Sequence, residues 1–256
     1  MKRLTHSFLL IGQSNAAGRG LLAEAEPLDT CEKKLKVLRN GRWQTMYRPV
    51  NPDCFFSGTC LAESFAKAYS DAHPDVHVGI IPCADGGTSL EQWKPGGLLF
   101  DNALHCAELA MRTSHLAGVL WHQGEADCAA DRHPLYYDRF QAIMTALRQA
   151  LGRPALPFLL GGLGDFLADC PLSSDLANYP HVNDALRRIA EDDGHCAFVC
   201  AEGLGANPDN LHFNAAALKT FGLRYFEEYQ KLGTWDDTTD EAETEDDLQR
   251  TEMELL

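Results

Sequence analysis

The chain has 256 residues, of which 45% are hydrophobic and 9% aromatic, and its formal net charge is −15 at pH 7. A chain of this length and composition can bury one sizeable core, so we expect a single large domain. The sequence has no basic stripe, which argues against a nucleic-acid partner. No apolar run approaches the roughly 18 residues that a membrane helix needs, so we expect no membrane partner either.

The two ends of the chain differ from its body. Residues 236–256 contain ten acidic residues and one basic residue, so this stretch alone carries a net charge of −9. It is also poor in aromatic residues, which is typical of a disordered, solubilising extension. We therefore divide the chain into one folded domain, 1–234, and an acidic extension, 235–256. At the other end, Lys2 and Arg3 precede an apolar run that is too short for a signal peptide.

The nine cysteines form no CxxC pair and show no metal-ligand spacing. An odd, scattered set of cysteines suits a reducing compartment better than a disulfide framework. With no signal peptide expected, this predicts a cytoplasmic protein. The ten histidines have no i, i+4 pair beside a carboxylate on a helical pattern, so we expect no metal site and no cofactor.

Five continuous apolar runs predict buried strands, because strands covered on both faces lack polar alternation. In chain order they are Ser7–Ile11, Val76–Cys83, Leu116–Trp121, Pro157–Leu163 and Cys196–Ala201. Helical spacing of apolar residues predicts helices that begin near Leu61, Leu99, Tyr137 and Val182, and a last helix over 214–231. This alternation indicates an α/β fold: a doubly wound parallel sheet of about five strands with helices on both faces.

The region 23–58 is irregular and rich in proline and Asn-Gly signals. It could hold a small hairpin over 35–45, and we expect it to form one wall of a cleft.

Four polar, glycine-bearing segments follow predicted strands: 12–15, 85–89, 122–127 and the loop that contains Asp209 and His212. In an open parallel sheet, ligands bind at the carboxyl ends of the strands. The four segments are therefore expected to meet at one edge and to form one site.

Three residues in these segments have the types required for nucleophilic catalysis. Ser14 would attack a carbonyl carbon, His212 would take its proton, and Asp209 would orient the imidazole. The tetrahedral oxyanion needs hydrogen-bond donors. The candidates are the backbone N–H of Ser14, an N–H from Gly86 or Gly87, and the side-chain amide of Gln123.

Each of these residues also has a purely structural interpretation. A serine after a strand commonly caps a helix, and an aspartate beside proline commonly makes a turn. The glycine pair could be a tight turn, Gln123 a hydrogen-bonded core residue, and Glu125 and Asp127 carboxylates that favour a helix start. The joint occurrence of all four segments at strand ends favours the catalytic interpretation.

The motifs in these segments resemble those of the SGNH (GDSL-like) hydrolases, in particular the branch of sialate O-acetylesterases and acetylxylan esterases, carbohydrate esterase family six. The matching motifs are Gly12-Gln13-Ser14-Asn15 with Gly18-Arg19-Gly20, Gly86-Gly87-Thr88-Ser89 with Trp93, residues 121–127, and 209–213. They occur in family order and span 7 to about 230. The resemblance implies a flavodoxin-like, three-layer α/β/α fold and metal-independent removal of acetyl groups from the hydroxyls of a sugar or oligosaccharide.

By matching position, the resemblance makes Ser14 the nucleophile and completes a triad with His212 and Asp209. Gln123 stands where the superfamily keeps an asparagine oxyanion donor, and the family's double glycine leaves Gly86 and Gly87 both open. The residues that would support the triad or line the pocket are Gln13, Asn15, Arg19, Trp93, His122, Glu125 and Asp127. Trp93 could stack on a sugar or belong to the core, and His122 is more typical of a packed histidine. Ala16 and Ala126 depart from the family pattern, which affects the expected substrate more than the chemistry.

Three other functions compete with a carbohydrate acetylesterase. A short-chain carboxylesterase without sugar specificity would use the same residues, and a catalytically silent carbohydrate-binding protein would use the same fold. A nucleotide binder is disfavoured because no G-x-G-x-x-G or Walker pattern follows the first strand. The sequence also lacks the G-x-S-x-G elbow of α/β-hydrolases. The particular sugar and the oligomeric state stay open.

Overall fold

A computed structural model of the chain describes residues 5–30 and 33–233. Its strands are β1 (Thr5–Gly12), β2 (Leu35–Arg39), β3 (Arg42–Thr45), β4 (His77–Pro82), β5 (His115–His122), β6 (Phe158–Gly161) and β7 (Cys196–Val199). Its α-helices are α1 (Ser14–Ala17), α2 (Leu61–Ala72), α3 (Leu98–Met111), α4 (Tyr136–Ala150), α5 (Tyr179–Asp192) and α6 (Ala215–Leu232). The predicted acidic extension, 235–256, lies outside the described residues.

The sheet has the strand order β3-β2-β4-β1-β5-β6-β7. Five consecutive strands of this order, β4-β1-β5-β6-β7, are parallel and correspond to the five predicted runs. Numbered along the chain, these five have the flavodoxin-like order 2-1-3-4-5. β4 therefore pairs with one side of β1, and β5, the next strand along the chain, pairs with its other side. The crevice at this switch point opens at the carboxyl ends of the strands.

The expectation of about five strands was too low. The predicted hairpin over 35–45 is present, and it extends the sheet: β2 pairs in parallel with β4, and β3 pairs antiparallel with β2 at the edge. Leu35 and Val37 are completely buried, so the hairpin belongs to the core. Lys36 and Arg39 interrupt the apolar residues of β2, so the hairpin lacks the continuous hydrophobic run that marks the other five strands.

Side chains of β1 alternate between two hydrophobic cores, one on each face of the sheet. Leu9 and Ile11 pack in the core covered by α3, α4 and α5. Phe8 and Leu10 pack in the core covered by α2 and α6. Both cores are apolar, which explains why the strand appears in the sequence as a continuous hydrophobic run. The result is the expected three-layer α/β/α architecture.

No helix in the described part of the chain is both long enough and apolar enough to cross a membrane.

Gly222 is the point of close contact between α6 and α2. A Cβ at this position would lie 2.1 Å from the carbonyl oxygen of Leu61 and 2.1 Å from Oγ of Ser64. We expect Gly222→Ala to force the two helices apart and to lower the free energy of unfolding by about 1–3 kcal/mol, measured by urea denaturation. Gly194→Ala is the matched control, because no heavy atom lies within 4 Å of its Cβ. Equal stability of the two variants would contradict this account of the contact.

Candidate active site

The turn after β1 holds Ser14 at the carboxyl edge of the sheet. Gly12 has φ +127°, and a Cβ there would lie 2.0 Å from the carbonyl oxygen of His122. Only glycine permits this approach of β1 to β5. The Gln13 N–H then donates to the same carbonyl at 2.9 Å, and α1 begins at Ser14. The N-cap residue of this helix is Gln13, whose side chain makes no capping hydrogen bond.

A second turn, between β7 and α6, carries Asp209 and His212. The Asn207 N–H donates to the carbonyl of His212 at 2.7 Å and closes the loop. Asn210 has φ +49°, a left-handed conformation that asparagine tolerates better than most residues. Asn214 ends the turn by capping α6, where its Oδ1 accepts the Ala217 N–H at 2.8 Å.

Ser14, His212 and Asp209 form one continuous chain of hydrogen bonds. Oγ of Ser14 lies 3.0 Å from Nε2 of His212, and Nδ1 of His212 lies 2.7 Å from Oδ2 of Asp209. A carboxylate only accepts hydrogen bonds, so Nδ1 carries the proton and Nε2 faces the serine as an acceptor. The imidazole is thereby in the tautomer that can take a proton from the hydroxyl.

Asp209 is held in its ionised form. Burial by itself would raise its pKa, but hydrogen bonds from the Leu211 N–H, the His212 ring and the His212 N–H outweigh it and lower the pKa of Asp209. The two backbone bonds reach Oδ1 at 2.9 and 3.0 Å, which leaves Oδ2 for the imidazole. The acid therefore binds both its own loop and the ring.

Asn15 connects the serine turn to the histidine loop. Its Oδ1 accepts the Phe213 N–H at 3.0 Å, and its Nδ2 donates to the Leu211 carbonyl at 3.1 Å. These two residues flank His212. The same Nδ2 donates to Oε1 of Glu125 at 2.5 Å. Both Asn15 and Glu125 are buried, so the segment after β5 supports the contact between the serine turn and the histidine loop.

Gln123 and Asp127 form a buried polar cluster beneath the serine turn. Nε2 of Gln123 donates toward Oδ2 of Asp127 at 2.6 Å, the Thr88 carbonyl at 3.0 Å and Oε1 of Gln13 at 3.2 Å. Three acceptors around Nε2 fix the orientation of the amide. Asp127 also accepts the Leu90 N–H at 2.9 Å, and burial raises its pKa. Gln123 is completely buried, and its amide hydrogens already have partners.

Two glycines lie beside the serine in the turn after β4. The Gly86 N–H donates to Oδ2 of Asp53 at 3.0 Å, and a Cβ at Gly86 would lie 3.7 Å from the Cβ of Ser14. Gly87 is exposed, has φ +74°, and has no heavy atom within 4 Å of its Cβ position. An oxyanion near Ser14 would share the Gly86 N–H with Asp53 or would use Gly87.

Arg19 and Asp53 form a bidentate ion pair behind Gly86. Nη1 and Nη2 of Arg19 donate to the two carboxylate oxygens at 3.0 and 2.6 Å. Ser57 Oγ donates to the same carboxylate at 2.7 Å. Burial opposes ionisation of Asp53, but the hydrogen bonds from Arg19 and Ser57 prevail and lower its pKa. Asp53 and Ser57 are site residues that sequence reasoning missed, because the irregular region 23–58 carries no local signal for them.

Two of the predicted pocket residues are in the core. Trp93 is only 1% exposed, its Nε1 donates to Oγ1 of Thr88 at 3.0 Å, and its ring packs edge-on against Trp121. It cannot stack on a sugar. His122 is completely buried, with its ring edge-on to Phe213, and burial lowers its pKa. Residues 5–30 and 33–233 contain no cluster of three histidine, cysteine or carboxylate side chains arranged to hold a metal ion.

The chain has a three-layer α/β/α fold, and its polar side chains gather at the carboxyl edge of the sheet. A family model described as carbohydrate esterase, sialic acid-specific acetylesterase, matches residues 4–231. The chain therefore belongs to this family and is a carbohydrate O-acetylesterase.

Individual relatives agree with the family. A probable carbohydrate esterase of Arabidopsis thaliana is 26% identical over 249 residues, which cover 87% of this chain and 89% of that protein. Its crystal structure superposes with a TM-score of 0.79 at 23% identity, over 90% of this chain and 99% of that one. NanS superposes with a TM-score of 0.71 at 15% identity, over 91% and 99% of the two chains. A carbohydrate acetylesterase from Xanthomonas citri superposes with a TM-score of 0.65 at 19% identity, over 88% of this chain and 56% of that one. At these identities the superpositions show the shared fold.

Removal of Asn15 should loosen the histidine loop. We expect Asn15→Ala to lower the free energy of unfolding by about 1–3 kcal/mol, because Glu125 loses its donor. We expect the rate of acetate release from a small aryl acetate to fall about 10²-fold, because His212 shifts relative to Ser14.

The matched control is Asn183→Ala. Asn183 is buried and makes two hydrogen bonds to the backbone of Leu163, at 2.7 and 3.0 Å. This variant should lose similar stability and keep its turnover. If both variants lose turnover in proportion to stability, Asn15 has no positioning role.

The lowered pKa of Asp209 predicts a pH-dependent contribution to stability. Such a group stabilises the native state above its unfolded pKa of about 3.9, and the contribution is lost as the pH falls through the folded-state pKa. We expect the difference in unfolding free energy between wild type and Asp209→Asn to shrink as the pH falls below about 4. Urea denaturation at a series of pH values measures this difference. Asp131→Asn, at an exposed aspartate, controls for the change in net charge. A difference that stays constant to pH 3 would contradict the assignment.

Proposed function

We propose that this protein is a serine esterase that removes O-acetyl groups from an acetylated xylan or sialic-acid-type carbohydrate through an acetyl-enzyme. One observation carries the proposal: the unbroken hydrogen-bond chain from Ser14 through His212 to Asp209, at 3.0 and 2.7 Å. Family membership supplies the acetylated carbohydrate as the substrate class.

The first half of the reaction would form the acetyl-enzyme. Ser14 Oγ attacks the acetyl carbonyl carbon while its proton moves to Nε2 of His212, and the carbonyl electron pair moves onto oxygen. Collapse of this tetrahedral species breaks the bond between the acyl carbon and the sugar oxygen. That oxygen takes the proton from His212 and leaves as a hydroxyl. Asp209 stabilises the imidazolium while it exists.

The second half would regenerate the serine. A water molecule attacks the acyl carbon as His212 takes one of its protons. Collapse then breaks the bond to Ser14 Oγ, which recovers its proton from His212, and acetate leaves. The alcohol and the water occupy the same side of the acyl group in turn, so a single base serves both halves.

For the oxyanion, we propose the Ser14 N–H and a glycine N–H from the turn after β4. Ser14 is the first residue of α1, and the first N–H groups of a helix have no partner within it. Gly86 lies beside Ser14 but already donates to Asp53, whereas the neighbouring Gly87 is exposed. Gln123 stays a proposed third donor; its role requires one Nε2 hydrogen to exchange Gln13 for the oxyanion.

We also infer that the enzyme works in the cytoplasm. All eight cysteines in the described ranges 5–30 and 33–233 are free thiols. Free thiols in this number suit a reducing compartment.

Substitutions in the hydrogen-bond chain test the proposal. We expect Ser14→Ala and His212→Ala to lower kcat for acetate release by at least about 10⁴-fold. Asp209→Asn should cost less, because the base survives in a poorer orientation. Acetate release is measured on a small aryl acetate and on acetylated xylan and O-acetylated sialic acid, with circular dichroism to confirm that each variant folds.

The panel of substrates separates the outcomes. Normal turnover in Ser14→Ala would end the proposal of a serine nucleophile. Turnover of the aryl acetate alone would indicate a short-chain carboxylesterase without sugar specificity. No release from any substrate by the folded wild type would indicate a silent carbohydrate-binding protein.

A further inference from the structure

Phe55 and Phe56 are two adjacent aromatic residues in the loop between β3 and α2, and both face solvent. Their exposed fractions are 99% and 56%. Most large apolar side chains of the protein are buried, so two neighbouring phenylalanines on the surface need a reason. The rings are perpendicular, at 83°, with their centroids 4.9 Å apart. They form an open aromatic corner.

The base of this aromatic corner is rigid. Asn51 makes two hydrogen bonds to the backbone of Ala84, each of 2.9 Å. Asp53 accepts the Gly86 N–H at 3.0 Å, and Ser57 donates to Asp53 on the other side of the two rings. The loop is therefore fixed to the turn that follows β4 through Asn51 and Asp53, and Ser57 closes it on the other side of the phenylalanines by its bond to Asp53.

Its position places the aromatic corner at the edge of the proposed active site. The Arg19 guanidinium lies over the Phe56 ring, 5.1 Å from its centroid. Nη2 of Arg19 lies 2.6 Å from a Cβ position at Gly86, which in turn lies 3.7 Å from the Cβ of Ser14. Gly86 and one guanidinium thus separate Phe56 from the serine.

We propose that Phe55 and Phe56 bind the sugar ring of the substrate and determine its preference for carbohydrate esters. This inference rests on the proposed function. While the acetyl carbon is at Ser14, the sugar attached to it must lie next to the serine, which the glycine turn borders, with Gly87 exposed. A sugar ring presents apolar C–H groups on its faces, and rigid aromatic rings are the surfaces on which such groups pack. The Arg19 contact holds Phe56 in place before the substrate arrives, so little ordering is required on binding.

A pair of substrates with the same acyl group tests this role. Ethyl acetate has the acetyl group and no ring, whereas acetylated xylose has both. In the full-length enzyme, we expect Phe56→Ala to raise KM for acetylated xylose about tenfold, the loss typical of one apolar contact with a bound substrate. kcat for both substrates and KM for ethyl acetate should stay unchanged. Phe55→Ala should also raise KM for acetylated xylose, and Phe56→Tyr should keep KM at the wild-type value.

The control variant is Leu223→Ala, which removes an exposed apolar side chain from α6. It should change neither KM. An unchanged KM for acetylated xylose in Phe56→Ala would overturn the inference. An equal loss of kcat/KM for both substrates would also overturn it, because it would indicate that the substitution disturbs Arg19. A wild-type dimer that becomes monomeric in Phe55→Ala, measured by analytical ultracentrifugation, would instead make the corner a subunit interface.

Failure of the proposed function gives a different result. It would appear as the absence of Ser14-dependent release by the wild type from either substrate. Wild-type release from ethyl acetate alone would overturn the carbohydrate role of the corner while leaving the serine chemistry intact.

Discussion

The close approach of β1 to β5 at Gly12 is the constraint on which the site depends. The α-carbon of Gly12 lies so near the His122 carbonyl that a methyl group would overlap it. The same carbonyl accepts the Gln13 N–H, which fixes where α1 begins and therefore where Ser14 lies. Two strands that are far apart in sequence thus define the position of one hydroxyl, and the residues after β5 are brought directly beneath it.

Burial of polar groups gives the rest of the site its rigidity. Asn15, Glu125, Gln123 and Asp127 are all buried, and a buried polar group without a partner costs about 1–3 kcal/mol. Their hydrogen bonds link the serine turn, the glycine turn, the segment after β5 and the histidine loop. Oε1 of Gln123 and Oε2 of Glu125 are buried without a partner, but the hydrogen bonds that the cluster does make set the distances between the segments that carry Ser14, Gly86 and His212. Loss of one bond affects stability and geometry together, which is why a stability-matched control is needed for every variant in this cluster.

Sequence reasoning found what is encoded locally and missed what depends on tertiary contacts. The continuous apolar runs predicted β1, β4, β5, β6 and β7, because each of these strands has a hydrophobic core on both of its faces. The motif residues Ser14, Asp209 and His212 lie together as predicted, since parallel strands end at one edge. Asp53 has no local signal: its role exists only because the loop of 51–57 folds back on Gly86. For Trp93 the motif left a sugar contact and a core role both open, because a motif position gives no information about burial, and the structure places the side chain in the core.

The Arg19–Asp53 pair explains why the glycine turn keeps its position. A buried ion pair gains little net stability, because desolvation of two charges offsets their attraction, but removal of one partner leaves the other charge uncompensated. Here the carboxylate of Asp53 also accepts the Gly86 N–H and the Ser57 hydroxyl, so it joins the glycine turn to the loop of 51–57. The guanidinium of Arg19 supports Phe56 on its other side. This one ion pair thus sets the position of a glycine beside Ser14 and of an aromatic ring at the edge of the proposed site. The proposed chemistry and the proposed choice of substrate would both depend on these two buried charges.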